Sequence, residues 1–314
     1  ADVRRFGCST VISSGNEAVT DTADYLSYLI DDPETAAIAI FLESVRSPRR
    51  FLDELRRASD VGKPVVVLKV GQSERAKHAV TTHTGALAGE AGVFAAALRS
   101  VNAIQVSDID EMSEVLAACQ SPRIVQGSRI GVTTLSGGHS ELILDIAEAV
   151  DIDLPPLRPV EMEKIRSVVG HVSGDGNPID AWGNGDTRKN FSTTMDVLSA
   201  SDFDAVVLCY DQNEDPVIES QGTAVTMFAE AAARSSKPMY LLGTRSGILR
   251  STSLELLRKQ DVGILTGIRP GLGAIRKLGD YQSRRRLEPP PAISTANPVA
   301  GLRQTSINEF DSKR

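Results

Sequence analysis

The sequence predicts an α/β protein built as two three-layer αβα units with mainly parallel sheets. Three observations carry this. Short apolar runs (residues 37–42, 65–70, 103–106, 129–135, 205–210, 239–242 and 262–265) alternate with amphipathic stretches, the pattern of parallel strands covered by helices on both faces. The 314 residues have the length of about two domains. The same order of signals also occurs twice.

In the first half, Gly15-Asn16 precedes a helical pattern over residues 20–30. A strand over 37–42 follows and ends in Glu43. An amphipathic helix around 51–58 leads to Lys63-Pro64 and the strand 65–70. A loop of small and polar residues comes next, then a helix over 93–98, the run 103–106 and a closing helix. In the second half, Gly176-Asn177-Pro178 precedes a helical pattern near 191–200. The strand 205–210 ends in Asp211, a helix over 223–234 leads to Lys237-Pro238 and the strand 239–242, and the run 262–265 precedes a closing helix. The halves differ at their starts. The second opens with a complete unit: a strand over 129–135, the turn Ser136-Gly-Gly-His-Ser140 and a helix over 141–149. The first has no counterpart, so a strand and a helix are expected to be missing upstream.

The expected domains are residues 1–122 and 128–282, joined by a connector near 121–128. Residues 283–314 read as a linker followed by the start of another domain. Arg284-Arg-Arg286 reads as a solvated charge run, residues 289–305 are rich in Pro, Ser, Thr and Asn, and 306–314 look like a capped helix start. The chain is thus expected either to be cut at both ends or to have its neighbouring domains on separate polypeptides.

Composition narrows the function. A net charge of -7 and a pI near 5.3 argue against nucleic-acid binding. Aromatics are 4% of residues, too few to favour base or flavin stacking. Cys8, Cys119 and Cys209 are scattered without ligand spacing, so no metal site is expected and a reducing cytoplasm is. No apolar run approaches the roughly 18 to 20 residues that span a bilayer.

Chemistry concentrates at the carboxyl ends of strands, where open α/β sheets bind ligands. His83, one of four histidines, stands in a Gly/Thr/Ala loop after the strand 65–70. It is either a nucleophile, since neutral imidazole forms covalent intermediates, or a histidine that caps a turn. Gly85 and Gly89 give that loop backbone freedom. Glu43 either accepts a hydrogen bond from one ring nitrogen, fixing the tautomer, or pairs with Arg46 or Arg49. Ser136, Gly137, Gly138 and Ser140 form a strand-to-helix turn that either binds phosphate at a helix N-terminus or is only a tight turn. The turn lacks the GK[ST] ending of a P-loop and the GxSxG spacing of a nucleophile elbow. His139 is expected to be exposed or to line the same cleft, His78 and His171 have no partner pattern, and Asp180 is expected to close a loop at the same edge.

Several motifs together resemble the NDP-forming acyl-CoA synthetases, relatives of succinyl-CoA synthetase. They are Gly15-Asn16, Asp31-Asp-Pro-Glu-Thr35, Lys63-Pro-Val-Val-Val-Leu-Lys69-Val-Gly71 and, above all, His83-Thr-Gly-Ala-Leu-Ala-Gly89, which looks like that family's phosphohistidine loop. Thr134-Leu-Ser-Gly-Gly138 and Asn177-Pro-Ile-Asp180 resemble its second flavodoxin-like domain, and Ile307-Asn-Glu-Phe-Asp-Ser-Lys313 resembles the first turns of its ATP-grasp domain.

The resemblance implies two flavodoxin-like domains and a ligase reaction, acid + CoA + NTP ⇌ acyl-CoA + NDP + Pi, through an acyl phosphate and phosphorylated His83. It implies Glu43 as the group that orients His83, and Ser136, Gly137, Gly138 and Ser140 around the phosphoryl group. It implies no tightly bound cofactor, with CoA, Mg-NTP and phosphate as substrates. It also implies a CoA-binding domain and an ATP-grasp domain as partners, a carboxylic acid substrate, no nucleic acid or membrane, and a homo-oligomer. Two other readings stand beside it: a flavin-binding module, suggested by Thr82-His-Thr-Gly85, and a catalytically silent regulatory module.

Overall fold

The computed structural model describes residues 7–73, 75–76, 91–182, 184–211, 219–246 and 251–286. They form two parallel sheets with helices on their faces.

The first half runs α1 (Thr22–Asp31), β1 (Ile38–Leu42), α2 (Pro48–Val61), β2 (Val65–Lys69), α3 (Ala91–Ser100), β3 (Ile104–Val106) and α4 (Ile109–Ala118). Its sheet has the order β1-β2-β3, all parallel. α1 starts where it does because Asp21 accepts from the N–H groups of Ala23 (2.9 Å) and Asp24 (3.2 Å), and Asp24 reciprocates on Asp21 N–H, a capping box built from two aspartates. α2 starts on a proline, whose missing N–H costs nothing there, and stops at Gly62, held at φ 84°. β2 is buried along its whole length, as a central strand should be. β1 alternates buried and exposed.

The second half runs β4 (Ile130–Thr134), α5 (Gly137–Ala149), α6 (Pro159–Val169), β5 (Ile179–Asp180), α7 (Thr187–Ala200), β6 (Ala205–Cys209), α8 (Glu219–Arg234), β7 (Met239–Gly243), α9 (Ser251–Arg258), β8 (Gly263–Thr266) and α10 (Ile268–Arg286). Its sheet has the order β5-β4-β6-β7-β8, also parallel throughout. β1, β2 and β3 repeat β6, β7 and β8.

One detail shows how closely the halves repeat. Each Lys-Pro pair carries the same bolt: Lys63 Nζ donates to the carbonyls of Leu29 (3.1 Å) and Asp32 (2.5 Å), and Lys237 Nζ to those of Ser201 (2.5 Å) and Phe203 (2.8 Å). In both, the ammonium satisfies carbonyls at the C-terminal end of the helix before the neighbouring strand, α1 or α7, where a cation is favourable.

The two sheets share a core. One face of each contributes to a single apolar cluster with α4, α5 and α10, in which Leu68, Val106 and Val115 meet Ile130, Tyr240, Leu272 and Leu278. Across this seam, Glu114 of α4, 3% exposed, accepts from Thr266 N–H (2.9 Å) and Oγ1 (2.8 Å). Gly279 of α10 lies so close to the connector that a Cβ would stand 2.3 Å from Gly127 O.

Three expectations need correction. The helix expected from residue 141 begins at Gly137, so the glycines lie inside its first turn. Asp180 is not in a loop but ends the edge strand β5. The arginines at 284–286 are the last turn of α10 rather than a solvated linker. Arg284 Nε donates to Asn102 Oδ1 (2.8 Å), and Arg285 Nε donates to Ser59 O (2.9 Å) at the C-terminal end of α2. Guanidinium groups with acceptors on the opposite half hold that turn in place.

Candidate functional site

The two sheets bring different chemistry to their carboxyl edges. At the first, Leu42 pairs with Lys69, so β1 and β2 end side by side, one running into Glu43 and the other ending in Lys69. Glu43 is half-buried. Lys69 is 8% exposed, and its Nζ donates to Val70 O at 2.6 Å. Burial pushes the Lys69 pKa down, and the charge of Glu43 opposes that shift. Gly71, at φ 75°, turns the chain out of the sheet, and Gln72 Nε2 holds Lys69 O at 2.6 Å. The segment that follows carries His83, Gly85 and Gly89, as well as His78. All four lie outside the described residues, and the chain is described again from α3. Of the two arginines expected as alternatives for Glu43, Arg46 donates to Asn16 O at 3.1 Å.

At the second edge, β4 ends at Thr134 and Ser136 is the N-cap of α5, with extended backbone and no side-chain cap. The N–H groups of Gly137, Gly138 and His139 therefore have no acceptor within the helix. Gly138 faces open space. Ser140 is turned inward: its N–H and Oγ both reach Ser136 O, at 3.1 and 3.4 Å. Thr134 is fully buried, and its Oγ1 has no partner. The Asp180 carboxylate also stands at this turn. A Cβ on Gly137 would lie 3.5 Å from Asp180 Oδ2, while Oδ1 accepts Trp182 N–H at 3.0 Å. A positive helix end flanked by a carboxylate is a weaker anion site than a bare one.

The structure thus groups Glu43 with Lys69, and Ser136, Gly137 and Gly138 with Thr134 and Asp180. His139 is half-buried beside the glycines, and His171 lies on the surface. Lys69 was not singled out in the sequence. The signal was available: one charge closing the otherwise apolar run Val65-Val-Val-Leu-Lys69. A third acid, Asp211, ends the strand that repeats β1. It is already engaged, accepting from Thr244 N–H (2.7 Å) and Thr244 Oγ1, with Arg245 Nε at 3.6 Å. Burial pushes the thiols of Cys119 and Cys209 up to about 12, so neither is a thiolate at neutral pH. Among the described residues no cluster of three or more His, Cys, Asp or Glu could hold a metal ion. Among the same residues no helix is long and apolar enough to cross a membrane.

The fold is an α/β arrangement of two parallel sheets, and its first half is similar to a flavodoxin-like domain of the succinyl-CoA ligase kind. Residues 1–119 match the succinyl-CoA ligase like flavodoxin domain, and the chain as a whole is related to the ADP-forming acyl-CoA synthetases. It is 28% identical over 279 residues to trans-feruloyl-CoA synthase FCS1 from an unknown prokaryotic organism, covering 88% of this chain and 39% of that protein. It is 27% identical over 263 residues to the alpha subunit of acetate–CoA ligase [ADP-forming] I from Pyrococcus furiosus, covering 83% of this chain and 55% of that one. Among solved structures, the dinucleotide forming acetyl-coenzyme A synthetase 1 of Ca. Korarchaeum cryptofilum, in complex with phosphate and ADP, superposes with a TM-score of 0.75. That match has 26% identity over 90% of this chain and 61% of that one. The chain therefore spans about half the length of the curated relatives it matches.

Proposed function

We propose that this chain is the phosphohistidine-carrying core of an NDP-forming acyl-CoA synthetase. With its partner domains it would catalyse acid + CoA + NTP ⇌ acyl-CoA + NDP + Pi. The observation that carries the reading is the placement of Glu43 and Lys69 at adjacent strand ends. A carboxylate and a buried ammonium close the adjacent strands β1 and β2, directly before the His83 segment, in a chain whose relatives are named as acyl-CoA synthases and ligases.

In this reading the neutral His83 ring attacks the γ-phosphorus of the nucleotide. The N–P bond forms, the bridging P–O bond breaks and NDP leaves. A carboxylate oxygen of the acid then attacks the same phosphorus, the N–P bond breaks and acyl phosphate forms. The CoA thiolate attacks the acyl carbon and releases Pi. Glu43 accepts the N–H of the ring nitrogen that does not react, which fixes the tautomer and stabilises the charge developing on the ring. The free N–H groups of Gly137 and Gly138 receive phosphoryl oxygens. Gly85 and Gly89 let the loop carry its phosphoryl group between sites. A CoA-binding domain and an ATP-grasp domain supply CoA and Mg-NTP. No tightly held cofactor is required, and we place the assembly in the cytoplasm as a homo-oligomer.

The test is transfer of γ-labelled phosphate from Mg-ATP in the presence of an ATP-grasp partner. Acid-labile, base-stable label that is lost in His83→Asn is the expected result. Absence of label on a folded chain with nucleotide bound to the partner would favour a silent regulatory module instead.

A further inference from the structure

The chain has a single tryptophan, and the fold leaves it half in water. Trp182 follows the carboxyl end of β5 and is 50% exposed. Its neighbours Ile179 and Ala181 are sealed, in an apolar cluster with Phe191 and Leu208. Trp182 belongs to no apolar cluster of the described residues.

This exposure does not come from slack backbone. Trp182 N–H donates to Asp180 Oδ1 (3.0 Å), and Trp182 O accepts from Asn190 Nδ2 (3.1 Å) and Gly185 N–H (3.1 Å). Asn190 is 0% exposed on α7 and also donates to Asn184 Oδ1 at 3.0 Å, while Asn184 Nδ2 reaches Val168 O of α6 at 2.9 Å. Asn190 Oδ1 is buried without a hydrogen bond among the described residues, so this grip on the loop is kept at a cost. The main chain of Trp182 is thus fixed at both its N–H and its C=O, and only the side chain is left open. A rigid indole offered to solvent is the kind of surface that ligands use as an anchor.

Asp180 ties this residue to the phosphoryl turn. The carboxylate that holds Trp182 N–H with one oxygen has its other oxygen 3.5 Å from where a Cβ of Gly137 would stand. Trp182 is therefore one carboxylate away from the free N–H groups of Gly137 and Gly138. A phosphoryl group held there is joined to its acyl group through a single oxygen, so the acyl chain starts at the turn and must leave it along some wall. Nucleotide and CoA carry further phosphates, which the charge of Asp180 repels. A neutral acyl chain meets no such barrier.

We infer that Trp182 is a specificity-determining residue: its indole is the wall on which the acyl group of the acid packs. The acid is accordingly one with an extended apolar or aromatic chain rather than a two-carbon acid. The inference rests on the reading that Gly137 and Gly138 receive phosphoryl oxygens.

The test uses acylphosphonates, in which a P–C bond replaces the labile P–O link of an acyl phosphate. Affinity is followed in the full chain through the amide shifts of Gly137 and Gly138. Hexanoylphosphonate should bind about tenfold or more tighter than acetylphosphonate, since each methylene taken out of water is worth roughly fourfold in affinity. As the chain's one tryptophan, Trp182 should shift its emission to the blue with hexanoylphosphonate and not with inorganic phosphate. Trp182→Ala should cut the preference to less than about threefold, and Trp182→Phe should keep most of it. Both variants should bind inorganic phosphate as the parent chain does, which shows that the turn is intact. Equal affinities for the two phosphonates, with the amides responding, overturn the inference and leave the phosphoryl reading standing. A preference that survives Trp182→Ala overturns it as well. If neither phosphate nor either phosphonate moves the two amides, the phosphoryl reading fails and the inference falls with it.

Discussion

Compared strand for strand, the second half closes on itself and the first does not. β6 has β4 on its free side and α5 over its face, whereas β1 ends in an open edge with Phe41 bare. The carboxyl edges differ in the same sense. Asp211 is satisfied by Thr244 and Arg245 of its own sheet. At the matching positions the first half has Glu43, then Lys69 in place of Gly243 and Val70 in place of Thr244. A valine cannot donate as Thr244 does, and the charge of the Lys69 ammonium acts on Glu43 across the strand ends. One repeat has become a self-satisfied scaffold. The other keeps charge at its strand ends, which an apolar environment tolerates only with a partner. This is the contrast on which the proposal of chemistry in the first half and support in the second can be tested.

The sharpest test exchanges the two acids. With an ATP-grasp partner present, Glu43→Gln should slow phosphoryl labelling of His83 by about 10²-fold or more, the scale of a lost acid–base or tautomer-fixing group. Asp211→Asn should change it by less than about threefold, since its contacts are structural. Equal losses would break the contrast between the halves.

The seam between the halves offers the next largest effect, on stability. Gly279→Ala pushes a methyl group against backbone, at Gly127 O, and should cost about 2 to 3 kcal/mol in urea unfolding. Gly273→Ala on the same helix meets nothing within 4 Å and should be neutral or stabilising by up to about 1 kcal/mol. If both variants behave alike, α10 does not press on the connector as described. Glu114→Ala, which strips Thr266 of its buried acceptor, should cost about 1 to 3 kcal/mol.

Much of this was legible in the chain because local pattern and environment agree. Residues 65–68 are apolar, three of them β-branched, and lie in a fully buried strand; Lys63-Pro64 and Lys237-Pro238 mark the same bolt twice. What escaped depends on contacts far apart in sequence. Arg284 and Arg285 look like a solvated charge run until Asn102 and Ser59 are brought beside them. α6 escaped because its polar sequence, Pro-Val-Glu-Met-Glu-Lys-Ile-Arg-Ser-Val-Val, buries Glu161 along with Ile165 and Val169. Glu161 is tolerated there because Arg158 and Ser201 bond it. At the candidate site, Glu43 is proposed from its strand end and Gly137 from its glycine turn. Asp180 was placed in a loop because two-residue β5 is too short to leave a pattern.

Asp180 sharpens the comparison at the second edge. Its carboxylate stands over the first turn of α5, where it competes with any incoming anion. Asp180→Asn should tighten inorganic phosphate binding by about three- to tenfold, followed through the amide shifts of Gly137 and Gly138 in an NMR titration. An unchanged affinity would mean that the turn does not receive phosphate, leaving the second half with a structural role only.

The smallest expected effect concerns Lys69. Burial lowers its pKa below the usual 10.5, so between the lowered value and 10.5 the unfolded chain binds more protons than the folded one. Stability therefore climbs with pH through that window, and below it the folded chain carries the cost of burying a charged ammonium. Lys237 is shifted the same way by burial and contributes a parallel climb, which Lys69→Met leaves in place. In urea unfolding between pH 7 and 10, Lys69→Met should thus raise stability at pH 7 and flatten, without abolishing, the alkaline rise. The same variant should transfer phosphate more slowly, because Glu43 loses its counter-charge. A Lys69→Met chain that is less stable at pH 7 would show that the ammonium is a structural bolt like Lys63 and Lys237, and the contrast drawn here would then rest on Glu43 alone.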